Sequence, residues 1–97
     1  MYKKLHLHSY EDVTNKVFRH RHKYSGVTTK NPDFEGHSHY MSGYTEEVRD
    51  HVHYYYLISG PNIDVKEGHI HFYYGFTSIN KKHYHYIWGY TSVYSDY

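Results

Sequence analysis

Six segments of the chain share a nine-residue pattern in which alternate positions have the same character. The pattern reads His-x-His-x-Tyr-x-Gly-apolar-Thr and is rich in Tyr, Val, Ile and Thr. A period of two residues is typical of a β-strand, because successive side chains point to opposite faces. The segments begin at His6, His20, His37, His51, His69 and His83. We therefore predict an all-β fold of six short strands, each starting with His-x-His.

The six segments form three tandem repeats, each made of two half-repeats. Their first histidines are 14, 17, 14, 18 and 14 residues apart, so the repeat is 31 to 32 residues long. Both prolines, Pro32 and Pro61, lie in the longer gaps. A length of 97 residues suits one domain. We predict a single domain over residues 1–97, with repeats at about 6–36, 37–68 and 69–97.

Composition excludes a helical bundle and a purely aliphatic core. Leu, Ile, Val and Phe together account for only 19 of 97 residues, and alanine, the best helix former, does not occur. The chain has 15 Tyr, 12 His and no Cys, so it has neither a disulfide nor a thiolate metal site. We expect histidine chemistry, oligomerisation or both to supplement the core.

All 12 histidines belong to the six His-x-His pairs. Residues two apart on a strand lie roughly 6.5–7 Å apart at Cα on one face, so their imidazoles can converge on one ion. Neutral imidazole binds iron, zinc, nickel and copper, whereas calcium and magnesium prefer oxygen. The predicted metal ligands are His6, His8, His20, His22, His37, His39, His51, His53, His69, His71, His83 and His85.

The number of pairs around each ion sets the stoichiometry. Three pairs give six nitrogens in an octahedral set and two ions per chain, whereas two pairs give four nitrogens and three ions per chain. The three pairs of an octahedral set come either from three chains or from the three repeats of one chain. In the one-chain arrangement, one end gathers His6/His8, His37/His39 and His69/His71, and the other end gathers His20/His22, His51/His53 and His83/His85. Because one chain has little aliphatic core, composition favours a homotrimer.

The strand face opposite the histidines differs between repeats. It is polar early in the chain, with Arg21 and Lys23, and aromatic late, with Tyr84, Tyr86 and Trp88. Such an aromatic face suits packing between chains, or binding of a protein, a glycan or a cell surface. A net charge of +1 lacks the basic footprint of a nucleic-acid partner. We expect no secretion signal, no transmembrane segment and no membrane partner, and the localisation stays open.

These observations predict a non-catalytic, metal-stabilised structural or interaction protein with an elongated or barrel-like threefold β assembly. An octahedral site filled by six histidines has no position for a substrate. The alternative is a metalloenzyme or metal-handling protein with open three-histidine or four-histidine sites.

Two resemblances bear on this hypothesis. The segments from Gly36-His37-Ser38-His39 and Gly68-His69-Ile70-His71, each continuing to Gly-x-Thr, resemble the His-x-His segments of bacteriophage long-tail-fibre tips. That resemblance implies a trimer of intertwined strands with iron(II) held octahedrally by three pairs. From His6 to about Trp88 the spacing is also similar to the YmaF family of small bacterial proteins, including Asp50-His51-Val52-His53. The second resemblance implies no particular activity.

Overall fold

The computed structural model describes residues 4–95, which contain strands and turns but no helix. The strands are β1 (Leu5–His6), β2 (Ser9–Val13), β3 (Lys23–Val27), β4 (Asn31–Pro32), β5 (Tyr40–Tyr44), β6 (Tyr54–Ile58), β7 (Asn62–Val65), β8 (Gly68–Phe76) and β9 (Tyr86–Tyr90). All strand pairs are antiparallel. The all-β prediction is confirmed. Nowhere in the described residues is there a helix of the length and hydrophobicity needed to cross a membrane.

Three hairpins with equivalent registers carry the fold. Strand β2 pairs with β3, β5 with β6 and β8 with β9, each through five residue pairs. The five-residue strands begin three residues after the first histidine of their segment, so the predicted starts at His-x-His are too early. The exception is β8, which includes His69 and His71.

In each hairpin, side-chain hydroxyl groups end the backbone hydrogen-bond ladder where the strands reach the histidines. The Thr14 N–H donates to the His22 carbonyl over 2.8 Å, as in a regular ladder. The His22 N–H, however, donates to Thr14 Oγ1 rather than to the Thr14 carbonyl. Regular pairing stops at this point, although the His22 side chain still points inward. The same two bonds link Thr28 with His8, Thr45 with His53, Ser59 with His39, Thr77 with His85 and Thr91 with His71.

The hairpins surround one long axis, and the described chain measures 49 × 21 × 17 Å. Strand β3 lies beside β5, β6 beside β8, and β9 beside β2. Two isolated backbone bonds cross each junction; examples are Glu46 N–H to the Lys23 carbonyl and Ser92 N–H to the Ser9 carbonyl, both 2.8 Å long. Neighbouring hairpins share no strand ladder in the described chain. The assembly is therefore elongated, and no closed barrel forms within residues 4–95.

Tyrosine takes the place of aliphatic residues at the middle of the axis. The fifth position of each segment is at most 4% exposed and comprises Tyr10, Tyr24, Met41, Tyr55, Tyr73 and Ile87. The hydroxyl oxygens of Tyr10 and Tyr55 are 2.9 Å apart, and those of Tyr24 and Tyr73 are also 2.9 Å apart. Buried phenols thus pack as hydrophobic residues while their polar ends pair with each other. Both bonds join different hairpins, so they help hold the three hairpins around the axis.

A glycine opposite Tyr10, Tyr55 and Tyr73 makes room for each ring, and this requirement is testable. A Cβ added at Gly26 would lie 2.6 Å from Tyr10 Oη, whereas one at Gly75 would meet Leu57 at an ordinary 3.4 Å. Both glycines occupy the seventh position of their segments. We expect Gly26→Ala to lower the free energy of unfolding by about 1–3 kcal/mol, because the Tyr10 ring must move. The matched change Gly75→Ala should cost less than about 1 kcal/mol. Urea denaturation measures both, and equal losses would contradict this account.

Candidate metal centre

The twelve predicted ligands form two groups of six, one towards each end of the axis. In each group the six ligand atoms all lie within 4.8 Å of one another. One site lies at the end where the chain passes from one hairpin to the next, and we call it the connection-end site. It consists of His6, His8, His37, His39, His69 and His71. The other site lies at the end where each hairpin turns back on itself, and we call it the turn-end site. It consists of His20, His22, His51, His53, His83 and His85. Every repeat contributes one His-x-His pair to each site. This is the grouping expected if the three repeats of one chain surround each ion. The structure does not divide the histidines into sets of four.

The imidazoles of each site lie at the corners of an octahedron. Neighbouring ring centroids in the connection-end site are 4.6–5.2 Å apart, with planes inclined by 70–90°. Those in the turn-end site are 4.7–5.1 Å apart, with planes inclined by 65–88°. The remaining pairs are opposite corners: His6/His71, His8/His37 and His39/His69 in one site, and His20/His53, His22/His83 and His51/His85 in the other.

The Nε2 atoms leave a space of the size of one ion. In the connection-end site, six of the twelve neighbouring Nε2 pairs are 3.0–3.2 Å apart. In the turn-end site, the Nε2 atoms of His22 and His51, and those of His53 and His83, are also 3.2 Å apart. An octahedron with these edges has its centre about 2.1–2.3 Å from each corner, close to a metal–imidazole bond length. At the turn end, the buried Nε2 atoms of His20 and His85 have no hydrogen-bond partner within the described chain. Each site therefore fits one six-coordinate transition-metal ion.

Backbone carbonyls fix the tautomer of the second histidine of each pair. Nδ1 lies 2.8–2.9 Å from a carbonyl oxygen of a neighbouring hairpin, in the pairs His8 with Ser92, His22 with Glu46, His39 with Thr29, His53 with Ser78, His71 with Gly60 and His85 with Asn15. A carbonyl only accepts hydrogen bonds, so Nδ1 carries the proton and donates. The Nε2 lone pair then points to the centre of the site. Lone pairs 3.0–3.2 Å apart repel one another, and a central cation removes that repulsion.

Three strained turns orient the first histidines of the turn-end site. The two-residue turns Phe18–Arg19, Arg49–Asp50 and Lys81–Lys82 have φ angles between 49° and 66°. Positive φ at both positions is typical of a type I′ turn, in which Asn-Gly is the preferred sequence. Residues with long side chains adopt these angles only with backbone strain. In each turn the carbonyl of the first residue accepts from Nδ1 of the following histidine, over 3.4 Å at His20, 3.2 Å at His51 and 3.1 Å at His83. The strained backbone thus positions metal-facing imidazoles.

Burial favours the neutral form of eight of the histidines. It lowers the pKa of four second-position histidines to about 4: His8, His39, His71 and His85. Burial also lowers the pKa of His6, His20, His22 and His53. The carbonyl acceptors on Nδ1 oppose this shift, and neighbouring histidines reinforce it. Because metals bind the neutral imidazole, both sites are ready to bind at neutral pH.

The two sites differ in the side chains outside the ligand set. At the connection end, the Tyr94 ring packs 4.5 Å from the His6 ring, and Asp33 Oδ1 lies 3.8 Å from His37 Nδ1. At the turn end, the Phe18 ring lies 5.4 Å from the His83 ring. Sequence reasoning did not identify Asp33, Tyr94 or Phe18 as part of either site. None of them lies in the nine-residue pattern, so the repeat carried no signal for them.

A family comparison covers nearly the whole chain. Residues 3–93 match the YmaF family, which is described as "Spore germination protein GerY/YamF". The matched span includes all six His-x-His pairs, so the resemblance noted from their spacing is confirmed. No curated protein and no solved structure matches the chain significantly.

Proposed function

We propose, from the premise that this chain belongs to the YmaF family, that it is a structural metal-binding protein with two six-histidine centres, each holding one divalent transition-metal ion. The octahedral arrangement of buried imidazoles carries the proposal. One ion at each end would join all three hairpins, because every repeat supplies two of its six ligands. Its binding free energy would then contribute directly to folding.

Iron(II) is the metal that we propose, with nickel(II) as the alternative. Both suit imidazole ligands. Structural zinc is almost always tetrahedral, and copper(II) favours a tetragonal site, so the octahedral set of six nitrogens supports neither. The resemblance to phage tail-fibre tips adds support for iron.

One chain is the metal-binding unit in this proposal. Both six-histidine sets are complete within residues 4–95, so neither needs a ligand from a second chain. The homotrimer predicted from composition and from the tail-fibre resemblance requires three copies of the same pair to meet. It stays the alternative that the experiment below distinguishes.

The family description names spore germination, and we propose that this chain serves there as a structural or binding component. Six imidazoles around each ion support this role, because a catalytic metal needs an exchangeable coordination position. The metalloenzyme alternative requires an open site with three or four histidines. The described arrangement offers each ion six nitrogens instead.

Removing one pair tests the function and the chain number together. The double change His51→Ala with His53→Ala takes two ligands from the turn-end site. After gel filtration with a weak chelator, we expect metal analysis to show one ion per chain instead of two, because four remaining imidazoles hold an ion more weakly. In the trimer the same change would remove one ion of six, leaving the other five sites complete.

The matched control is Val52→Ala, which alters the residue between the two histidines and should leave both ions bound. Wild-type protein that carries no transition metal, or a double variant that keeps both ions, would contradict the proposal.

A further inference from the structure

One side of the molecule exposes an unbroken aromatic surface, the outward face of the β8–β9 hairpin. We name it the aromatic face. Its six side chains are 37–61% exposed: Phe72, Tyr74, Phe76, Tyr86, Trp88 and Tyr90. None of these residues is charged. An exposed apolar patch of this kind marks an interaction site more often than a free surface.

The aromatic face is ordered in advance of binding. Its residues form three cross-strand pairs, Phe72 with Tyr90, Tyr74 with Trp88 and Phe76 with Tyr86. The Tyr74 and Tyr86 rings stack, with centroids 6.1 Å apart and planes inclined by 22°. A shallow groove runs between Phe72, Tyr74, Tyr86 and Trp88. Aromatic side chains held on strands lose little conformational entropy when they bind a partner.

The fold itself does not require aromatic residues at these positions. In the first hairpin the residue equivalent to Trp88 is the exposed Ser25, and the one equivalent to Tyr74 is the exposed Glu11. In the second hairpin, the position equivalent to Tyr74 is Ser42 and the position equivalent to Tyr90 is Ile58, so its outward face is not continuously aromatic. All three hairpins nevertheless have the same register. The outer aromatic residues of β8 and β9 therefore serve something other than hairpin formation.

We propose that the aromatic face binds the same face of a second copy of this chain, in a two-fold dimer. Six half-exposed aromatic side chains offer roughly 600 Å² per partner, which reaches the lower end of specific interfaces, where about 600–1,000 Å² per partner is buried. A surface without charge meets its own copy without repulsion, as a two-fold interface demands. For the hydroxyl groups of a glycan, the aromatic face offers only three tyrosine hydroxyls and one indole N–H, with no amide or carboxylate side chain, so a second copy fits it better.

Sedimentation velocity of the metal-loaded full chain over a range of concentrations tests the dimer. We expect a monomer–dimer equilibrium and a blue shift in the emission of Trp88, the single tryptophan, as the dimer forms. Tyr74→Lys places a charge in the interface but keeps Trp88 as the probe, and Trp88→Ser removes the largest contact. Each should weaken dimerisation at least tenfold, as loss of a central aromatic anchor does.

The matched control is Tyr56→Ser, at the position of the second hairpin equivalent to Trp88, and its dimer affinity should stay within about twofold of wild type. Metal content measured on the same samples reports folding and metal binding separately from dimerisation. A wild-type chain that stays monomeric at every concentration would overturn the dimer. So would a trimer that persists in Trp88→Ser, or equal weakening by Tyr56→Ser.

Discussion

Removal of the bound ions by a strong chelator is expected to unfold the chain. The buried apolar cluster of the described residues consists of only Tyr10, Tyr24, Met41, Tyr55, Leu57, Tyr73 and Ile87. Structural zinc sites contribute apparent binding free energies of about 10–16 kcal/mol, which is as large as the whole stability of a typical domain. Without the ions, each end of the axis would hold six inward lone pairs with nothing between them.

Thermal melts followed by circular dichroism check this expectation. The melting temperature should fall by more than about 20 °C, or the transition should disappear, and adding metal back should restore it. The same chelator saturated with the metal that the protein binds is the control and should change nothing. Metal-free protein with an unchanged melting temperature would show that the ions have no structural role.

Acid is expected to have the second large effect. His8, His39, His71 and His85 have a pKa of about 4 in the folded chain, against about 6.5 when unfolded. Between these values the unfolded chain binds more protons, so stability is fully present above pH 6.5 and falls towards pH 4. Each histidine contributes up to about 1.4 kcal/mol per pH unit, so the four together contribute up to about 5 kcal/mol per pH unit. Loss of metal from protonating ligands acts in the same direction.

Urea denaturation midpoints and metal content, measured together from pH 7.5 to pH 4.5, test the acid effect. Both should be constant above pH 6.5 and then fall steeply. Because the predicted loss comes from histidine, raising the pH again should restore both. A midpoint that stays flat over the whole range would mean that the buried imidazoles do not control stability.

The histidine sites were the part of the structure most accessible from the sequence. All twelve histidines stand in pairs with a period of two, and that period places both members of a pair on one face of the chain. Up-and-down hairpins then bring alternate pairs to opposite ends. The membership of both sites, such as His6 with His37 and His69, followed once the three repeats of one chain were placed around an axis.

Other features depended on contacts that a repeat does not encode. Most strands begin only after their His-x-His pair, because a side-chain hydroxyl such as Thr14 Oγ1 accepts from the His22 N–H in place of a backbone carbonyl. The alternation of side chains nevertheless includes the histidines, so the sequence pattern does not mark this boundary. Asp33 and Tyr94 reach the connection-end site through segments that differ between repeats. Composition and the tail-fibre resemblance favoured three chains over one, but the spacing within a His-x-His pair is the same in both arrangements and does not distinguish them.

Native mass spectrometry tests the central claim most directly, because one spectrum gives the number of chains, the number of ions and the identity of the metal. We predict a species containing one 11.8 kDa chain, or two such chains in the proposed dimer, with two ions per chain. Chelation should remove both ions. A species of three chains with six ions that never yields a metal-loaded single chain, a ratio of three ions per chain, or a chain free of metal would contradict the account.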